Sequence, residues 1–119
     1  MSSNNSFIEK FTFSERNDES MRVLTKFPDR IPIICERSKY NNNCPDIDKH
    51  KYLVPSNITV GQFIQVIRKR INLPPKDAMF LFIGNRIFSN NVTISSIYEE
   101  NKNTDGFLYI TYSKESTFG

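Results

Sequence analysis

The chain is poor in the residues that most catalytic and cofactor sites require. It contains one histidine, four glycines and two cysteines among its 119 residues. It has neither a phosphate-binding glycine loop nor a dinucleotide-binding glycine pattern. We therefore expect a protein that is not an enzyme and that needs no cofactor. The two cysteines, Cys35 and Cys44, make no disulfide framework, so a reduced, cytoplasmic protein is the default expectation.

Long apolar runs and a large excess of one charge are also missing. No stretch approaches the roughly 18 apolar residues of a transmembrane helix, and Met1 to Ser6 lack the apolar core of a secretory signal. Sixteen lysines and arginines against thirteen acidic residues leave a net charge of +3. That surplus is too small to indicate a dedicated nucleic-acid-binding protein. Because 38% of the residues are hydrophobic, the chain can bury the core of one domain.

Apolar side chains recur at helical spacing in two long stretches. The clearer one is 59–71, where Thr59 and Gln62 have the form of a capping box. Residues 6–27 predict two further helices, with Ser14 as the N-cap of the second. The predicted apolar face of the 59–71 helix comprises Val60, Phe63, Ile64, Val66, Ile67 and Ile71.

The remaining segments are mainly rich in strand-forming residues. Two hairpins around one crossing helix favour an α+β fold in which that helix covers one face of the sheet. This is the layout of a ubiquitin-like β-grasp, here with two additional N-terminal helices. Predicted strands cover 30–36, 51–54, 79–83 and 107–112, with a short return strand at 86–88 and a short helix at 93–100. The predicted parts are an N-terminal helical extension (1–27), a β-grasp core (28–112) and a flexible C-terminal tail (113–119).

Five short motifs are spread over nearly the whole chain. They run from Phe27-Pro28 to Arg37, from Asp48-Lys49 to Pro55, from Thr59-Val60 to Arg70, from Asp105-Gly106 to Tyr109, and over Thr117-Phe118-Gly119. In this order they resemble the motifs of the ubiquitin-like autophagy modifiers, the family of GABARAP and microtubule-associated light chain three. The likeness is closest to the fungal member of that family. One such motif would be a weak signal, whereas five in the same order are a strong one.

The resemblance implies that Gly119 is the residue that reacts. In the family, an activating enzyme adenylates the terminal carboxylate, cysteines of two successive enzymes carry it as a thioester, and the amine of phosphatidylethanolamine accepts it as an amide. Glycine suits a narrow enzyme channel because it has no Cβ. The chain would then be a substrate of this machinery and of a processing cysteine protease. It would be cytoplasmic, and bound to the autophagosome membrane when lipidated.

The resemblance also implies a docking strand for cargo receptors with aromatic-x-x-aliphatic segments, at Lys51 to Pro55. Without the resemblance, Tyr52, Leu53 and Val54 read as ordinary sheet core. The aromatic side chain would enter a first pocket, matched by Glu19, Val23, Pro32, Ile34, Lys51, Leu53 and Phe107. The aliphatic one would enter a second pocket, matched by Tyr52, Val54, Pro55, Ile58, Phe63 and Val66. The cations placed to meet acidic flanking residues are Arg30, Lys49, Lys51 and Arg70.

Phe80 and Phe82 form a candidate secondary surface. They alternate along a predicted strand with Met79, Leu81 and Ile83, and both faces of that strand are not easily core when one helix layer covers the sheet. Family members use this region for the processing protease and for other partners. Plain packing explains the same pattern equally well.

Three other hypotheses follow from local patterns. Cys44, Asp46, Asp48 and His50 lie close along the chain and could form a Cys–His pair or a metal site. Arg68-Lys69-Arg70 could contact nucleic acid, although cations at a helix C-terminus have a structural reason and no stacking motif accompanies them. The nearer rival is an adaptor that is not conjugated and that binds peptides or tubulin.

Overall fold

The computed structural model describes residues 6–39 and 44–115. Four helices and a four-stranded sheet make up the predicted α+β β-grasp with N-terminal helices. The helices are α1 (Phe7–Lys10), α2 (Phe13–Lys26), α3 (Val60–Ile71) and α4 (Ile94–Asn101). The strands are β1 (Arg30–Arg37), β2 (Lys51–Pro55), β3 (Phe80–Phe82) and β4 (Leu108–Ser113).

The strand order of the sheet is β2-β1-β4-β3. β1 pairs antiparallel with β2, with Ile33 opposite Tyr52, and parallel with β4. β3 pairs antiparallel with β4, with Leu81 opposite Tyr112. β2 and β3 are therefore the two edge strands, which confirms the predicted edge position of β2.

α3 covers one face of the sheet, as its periodicity predicts. Thr59 accepts a hydrogen bond from the Gln62 amide, and the Gln62 side chain accepts one from the Thr59 amide, so the capping box is formed. Phe63 and Ile67 are fully buried against the sheet. Val66 departs from the prediction because it is 39% exposed and lies outside the buried face of the helix.

The N-terminal helices are each opened by a capping box, and here the predicted cap was wrong. Thr12, rather than Ser14, caps α2, because the Glu15 carboxylate at the third helical position reaches back to the Thr12 amide. Ser14 lies inside the helix. α1 and α2 cover the other sheet face, where Phe7 packs with Ile34 and Phe107 in a small second core.

The hairpin after β3 is shorter than predicted. Gly84 has a φ of +64°, and Ile83 and Arg86 pair as an isolated bridge. The predicted return strand at 86–88 does not continue beyond this bridge. The chain instead leaves the sheet for the start of α3, where the Asn90 carbonyl accepts a hydrogen bond from the Gly61 amide.

Within the described part of the chain, no helix has both the length and the apolar character that crossing a membrane requires.

Candidate peptide-docking site

The edge strand β2 places successive side chains on opposite faces of the sheet. Tyr52 and Val54 point toward α3 and belong to the main core. Lys51 and Leu53 lie on the sheet face that α2 covers, where the Lys51 ammonium forms an ion pair with the Glu19 carboxylate at 2.7 Å. This alternation places Lys51 and Leu53 on one face and Tyr52 and Val54 on the other, as the two predicted pockets require. The assignment of Pro55, at the end of the strand, to the second pocket does not follow from this alternation.

The first predicted pocket lies between α2 and the sheet. Its deepest residues, Ile34 and Phe107, are 0% and 3% exposed, and Pro32 beside them is also buried. Val23 and Leu53 are only half-buried and form the accessible rim. An aromatic ring that enters this pocket would therefore contact these rim side chains as well as the floor.

The second predicted pocket lies between β2 and α3. Phe63 is fully buried, and the Tyr52 ring packs edge-on against it with ring centroids 5.6 Å apart. The surface that a partner can reach is formed by Pro55, Ile58 and Val66, which are exposed or half-buried. Tyr52 and Val54 form the base of this pocket and are nearly buried.

The hydroxyl of Tyr52 is buried and has no hydrogen-bond partner among the described residues. Burial raises the pKa of Tyr52 to about 12, so the unpaired group is a neutral hydroxyl at physiological pH. A buried polar group without a partner destabilises the folded state by its lost hydration. The ring itself is well packed, and Lys49 lies over it with its ammonium 5.1 Å from the ring centroid.

We therefore expect the substitution Tyr52→Phe to stabilise the protein. The free energy of unfolding should rise by about 1 kcal/mol, because the ring stays while the unpaired hydroxyl is removed. Tyr112→Phe is the matched control, since the Tyr112 hydroxyl donates to the Pro45 carbonyl at 2.7 Å and its loss should destabilise by about 1 kcal/mol. Urea denaturation of both variants measures the difference. Equal destabilisation by the two substitutions would contradict the expectation.

The predicted cations surround the start of β2. Arg70 forms a two-pronged ion pair with Asp48, with its Nε 2.9 Å from Oδ1. The hydrogen bond from Arg70 lowers the pKa of Asp48. Arg30, Lys49 and Lys51 are exposed, and neither Arg30 nor Lys49 has an ion pair with a described residue. Acidic residues of a partner can therefore approach Arg30 and Lys49 without breaking an internal ion pair.

No predicted site residue lies in α1, yet α1 forms one wall of a cavity next to β2. The cavity has a volume of about 500 Å³, and Phe7, Lys10 and Phe11 form its α1 side. Lys51 and Arg70 line the opposite side, together with His50. The only sequence signal was the run of aromatic residues at the start of the chain, which does not show what α1 packs against.

A second feature that was not predicted from the sequence is a buried polar cluster, which we call the α2 clamp. It consists of Arg16 and Ser20 of α2 with Asp105 and Tyr109. The Asp105 Oδ2 accepts hydrogen bonds from Arg16 Nε at 2.9 Å and from the Tyr109 hydroxyl at 2.5 Å. The Ser20 hydroxyl donates to the Asp105 carbonyl. Burial and the hydrogen bond to Asp105 raise the pKa of Tyr109, so this hydroxyl remains a donor.

Gly106 lets α2 approach the turn before β4 closely. Its φ is +96°, and a Cβ at this position would collide with the Ser20 side chain. Gly84 also has a positive φ, of +64°, but a Cβ there would meet nothing within 4 Å. Comparing alanine substitutions at the two glycines therefore separates the destabilisation due to backbone strain from that due to steric crowding.

We expect Gly106→Ala to lower the free energy of unfolding by about 3 kcal/mol, because strain and crowding add. Gly84→Ala should cost about 1 kcal/mol, since only the backbone conformation is unfavourable. Chemical denaturation measures both values. A Gly106→Ala protein as stable as Gly84→Ala would show that α2 moves aside without cost.

The candidate secondary surface is only partly present. Phe80 is half-buried, and it lines a groove of about 1080 Å³ between α3 and β3. Phe82 is 2% exposed, so its ring is part of the interior and does not form a surface. The prediction that both rings are available is therefore corrected for Phe82.

The cluster of Cys44, Asp46, Asp48 and His50 does not converge on one point. Asp48 pairs with Arg70, the His50 ring nitrogen faces the Cys35 carbonyl at 3.2 Å, and Cys44 is buried. No group of three or more potential ligands that could hold a metal ion occurs in the part of the chain that the structure describes. Burial raises the pKa of the Cys44 thiol, which is the opposite of what a nucleophile needs.

The cations at the end of α3 have structural partners in part. Arg68 donates to the carbonyls of Asp77 and Pro74, at 2.7 and 3.0 Å, and so holds the loop after the helix.

Gly119, the predicted conjugation residue, lies outside the described residues. Before it, Lys114 forms an ion pair with Asp77 at 3.3 Å.

Comparison with known proteins decides the family. The family model described as autophagy protein Atg8, ubiquitin-like, matches residues 15–119. The chain belongs to the Atg8 family. This confirms the predicted family and the autophagy role that its name states, and members of the Atg8 family are ubiquitin-like modifiers rather than a class of catalysts.

Individual relatives agree with this result. Autophagy-related protein 8 of Schizosaccharomyces pombe is 54% identical over 113 residues, which are 95% of this chain and 93% of the relative. The protein of the same name from Saccharomyces cerevisiae strain YJM789 is 50% identical over 95% of this chain and 96% of its own. The crystal structure of Trypanosoma brucei ATG8 superposes with a TM-score of 0.88 at 39% identity, over 98% of this chain and 100% of that one.

Proposed function

We propose that this Atg8-family chain is conjugated through Gly119 to phosphatidylethanolamine and acts on the autophagosome membrane. The observation that carries the proposal is the extent of the family match, which reaches Gly119 itself. The matched range includes the motif Thr117-Phe118-Gly119, on which the resemblance of the C-terminal segment rests. The remaining chemistry is supplied by the activating and conjugating enzymes.

The proposed reaction turns a carboxylate into an amide in four steps. Adenylation by ATP releases pyrophosphate and makes the Gly119 carbonyl electrophilic. An enzyme thiolate then displaces AMP to give a thioester, and a second enzyme thiolate takes over the acyl group by exchange. The lipid amine finally attacks the carbonyl, releases the thiol and loses a proton. The two acyl chains of the lipid hold the protein on the membrane, where a single chain would bind only marginally.

We further propose that β2 receives cargo receptors with aromatic-x-x-aliphatic segments. Main-chain pairing with an edge strand fixes the register of an added segment, and pockets for alternate side chains give selectivity. Support comes from the edge position of β2 and from the division of its side chains between two faces. The exposed cations Arg30 and Lys49 suit acidic residues that flank such a segment.

Mass spectrometry of the membrane-bound protein tests the conjugation. The chain is purified from the membrane fraction of starved cells, digested, and its C-terminal peptide is fragmented. We expect the mass of phosphatidylethanolamine, less one water, on Gly119. A C-terminal peptide that carries only a free carboxylate in the membrane fraction would refute the proposal, and lipid on another residue would refute the assignment to Gly119.

A further inference from the structure

We propose that Asp105 is a positioning residue for the first pocket, and that the α2 clamp sets the width of this pocket and hence the size of the aromatic side chain that it accepts. This inference rests on the proposed docking of aromatic-x-x-aliphatic segments at β2. It concerns a buried residue that would not touch the partner.

The Asp105 carboxylate holds two walls of the first pocket at once. Its Oδ1 accepts a hydrogen bond from the amide of Phe107, the floor residue, at 2.9 Å. Its Oδ2 binds Arg16 of α2, the helix that carries the opposite wall. Ser20, which donates to the Asp105 carbonyl, directly follows the wall residue Glu19 in the chain. A shift of this one carboxylate would therefore move floor and wall relative to each other.

The most deeply buried residues of α2 are those of the clamp. Among the 14 residues of α2, the buried ones are Arg16 and Ser20, and both belong to the clamp. The wall residue Val23 is half-buried, and Met21 is 53% exposed. The ion pair between Glu19 and Lys51 is largely exposed on the lysine side, and exposed pairs contribute little. The residues that α2 buries most deeply are thus polar, where an apolar stripe usually serves.

The spacing that the clamp sets is tight. Because Gly106 has no Cβ, the Ser20 side chain lies directly against the backbone of the turn. Arg16 also donates to the Phe11 carbonyl at 2.7 Å, so the same side chain ties the segment before α2 to Asp105. A pocket held this closely discriminates between large and small rings, since rearrangement of its walls breaks buried hydrogen bonds.

The second pocket is independent of the clamp. Tyr52, Val54 and Phe63 belong to the main core on the α3 side of the sheet, whereas the clamp contacts the α2 side. A change in the clamp should therefore alter selection of the aromatic side chain and leave selection of the aliphatic side chain unchanged. A general loss of folding would weaken both equally.

The test measures two selectivity ratios by isothermal titration calorimetry on the full chain. Three synthetic peptides have the same acidic flanking residues and contain Trp-x-x-Leu, Phe-x-x-Leu or Trp-x-x-Val. The first two give the aromatic ratio, and the first and third give the aliphatic ratio. We expect Tyr109→Phe and Asp105→Asn to change the aromatic ratio by about two- to tenfold, the range expected for loss of one buried hydrogen bond, with the aliphatic ratio unchanged.

Tyr112→Phe is the matched control. Tyr112 lies in the same strand, faces the α3 side, and donates its hydroxyl to Pro45, so this variant should change neither ratio. If Asp105→Asn does not fold, the outcome of the test depends on Tyr109→Phe alone. The inference would be overturned if the clamp variants lost affinity for all three peptides by the same factor. It would also be overturned if Tyr112→Phe changed the aromatic ratio as much as the clamp variants do. Absence of binding to the unsubstituted protein would instead refute the proposed docking function itself.

Discussion

Replacing Gly119 by alanine is expected to reduce formation of the lipid conjugate by about 10²-fold, because a small misplacement of reacting atoms has an effect of this size. The added methyl group stands next to the carbonyl that must enter the enzyme channel and meet a thiolate. Glycine alone leaves that approach open. The folded body should be unaffected, since the core that surrounds α3 and the sheet lies elsewhere in the chain.

The measurement is a reconstituted conjugation reaction with the activating and conjugating enzymes, ATP and vesicles that contain phosphatidylethanolamine. The conjugate is quantified by its shift on a denaturing gel and by mass. Gly84→Ala is the control, because Gly84 is exposed and a Cβ there meets no neighbour, so this variant should be conjugated normally. Normal conjugation of Gly119→Ala would contradict the expectation that the reacting carbonyl must belong to glycine.

The elements predicted correctly are those determined by residues a few positions apart in the sequence. The capping box at Thr59 and, apart from Val66, the apolar face of α3 were correct, because a cap and a helical period involve residues a few positions apart. The same rule was misapplied at Ser14, where the carboxylate that completes a box belongs to Thr12. The resemblance assigned Lys51 and Leu53 to one pocket and Tyr52 and Val54 to the other. β2 places these two pairs on opposite faces, because the side-chain period of a strand is two.

The features that the sequence did not reveal depend on contacts between distant segments. Arg16 and Asp105 are 89 positions apart, and an Asp-Gly pair on its own indicates only a turn. Phe82 is buried in a strand that pairs with the distant β4, and the composition of β3 does not show which of its rings becomes buried. The cavity beside α1 arises because α1 docks near the start of β2. These arrangements can be identified only in the folded structure, since no short-range sequence pattern encodes them.

Substituting Leu53 by arginine is expected to weaken binding of an aromatic-x-x-aliphatic peptide by at least about 30-fold, the loss typical of a central interface residue. Leu53 is half-buried on the α2 side of β2, so an arginine there would place a charge at the mouth of the first pocket. Tyr52 is a poorer choice for this test, although it was predicted in the same site. It is 8% exposed and packs on Phe63, so its truncation would lower stability as well as binding.

Titration calorimetry with a Trp-x-x-Leu peptide measures the effect, and urea denaturation shows whether the fold is retained. Ile87→Arg is the matched control, because it exchanges an aliphatic side chain for the same charge at a 47% exposed position on the groove beside β3. That variant should bind the peptide as the unsubstituted chain does. If Leu53→Arg keeps full affinity while folded, partners do not dock at the first pocket, and the edge of β2 loses its proposed role. If both arginine variants weaken binding alike, the added charge acts at a distance, and Leu53 is not a contact.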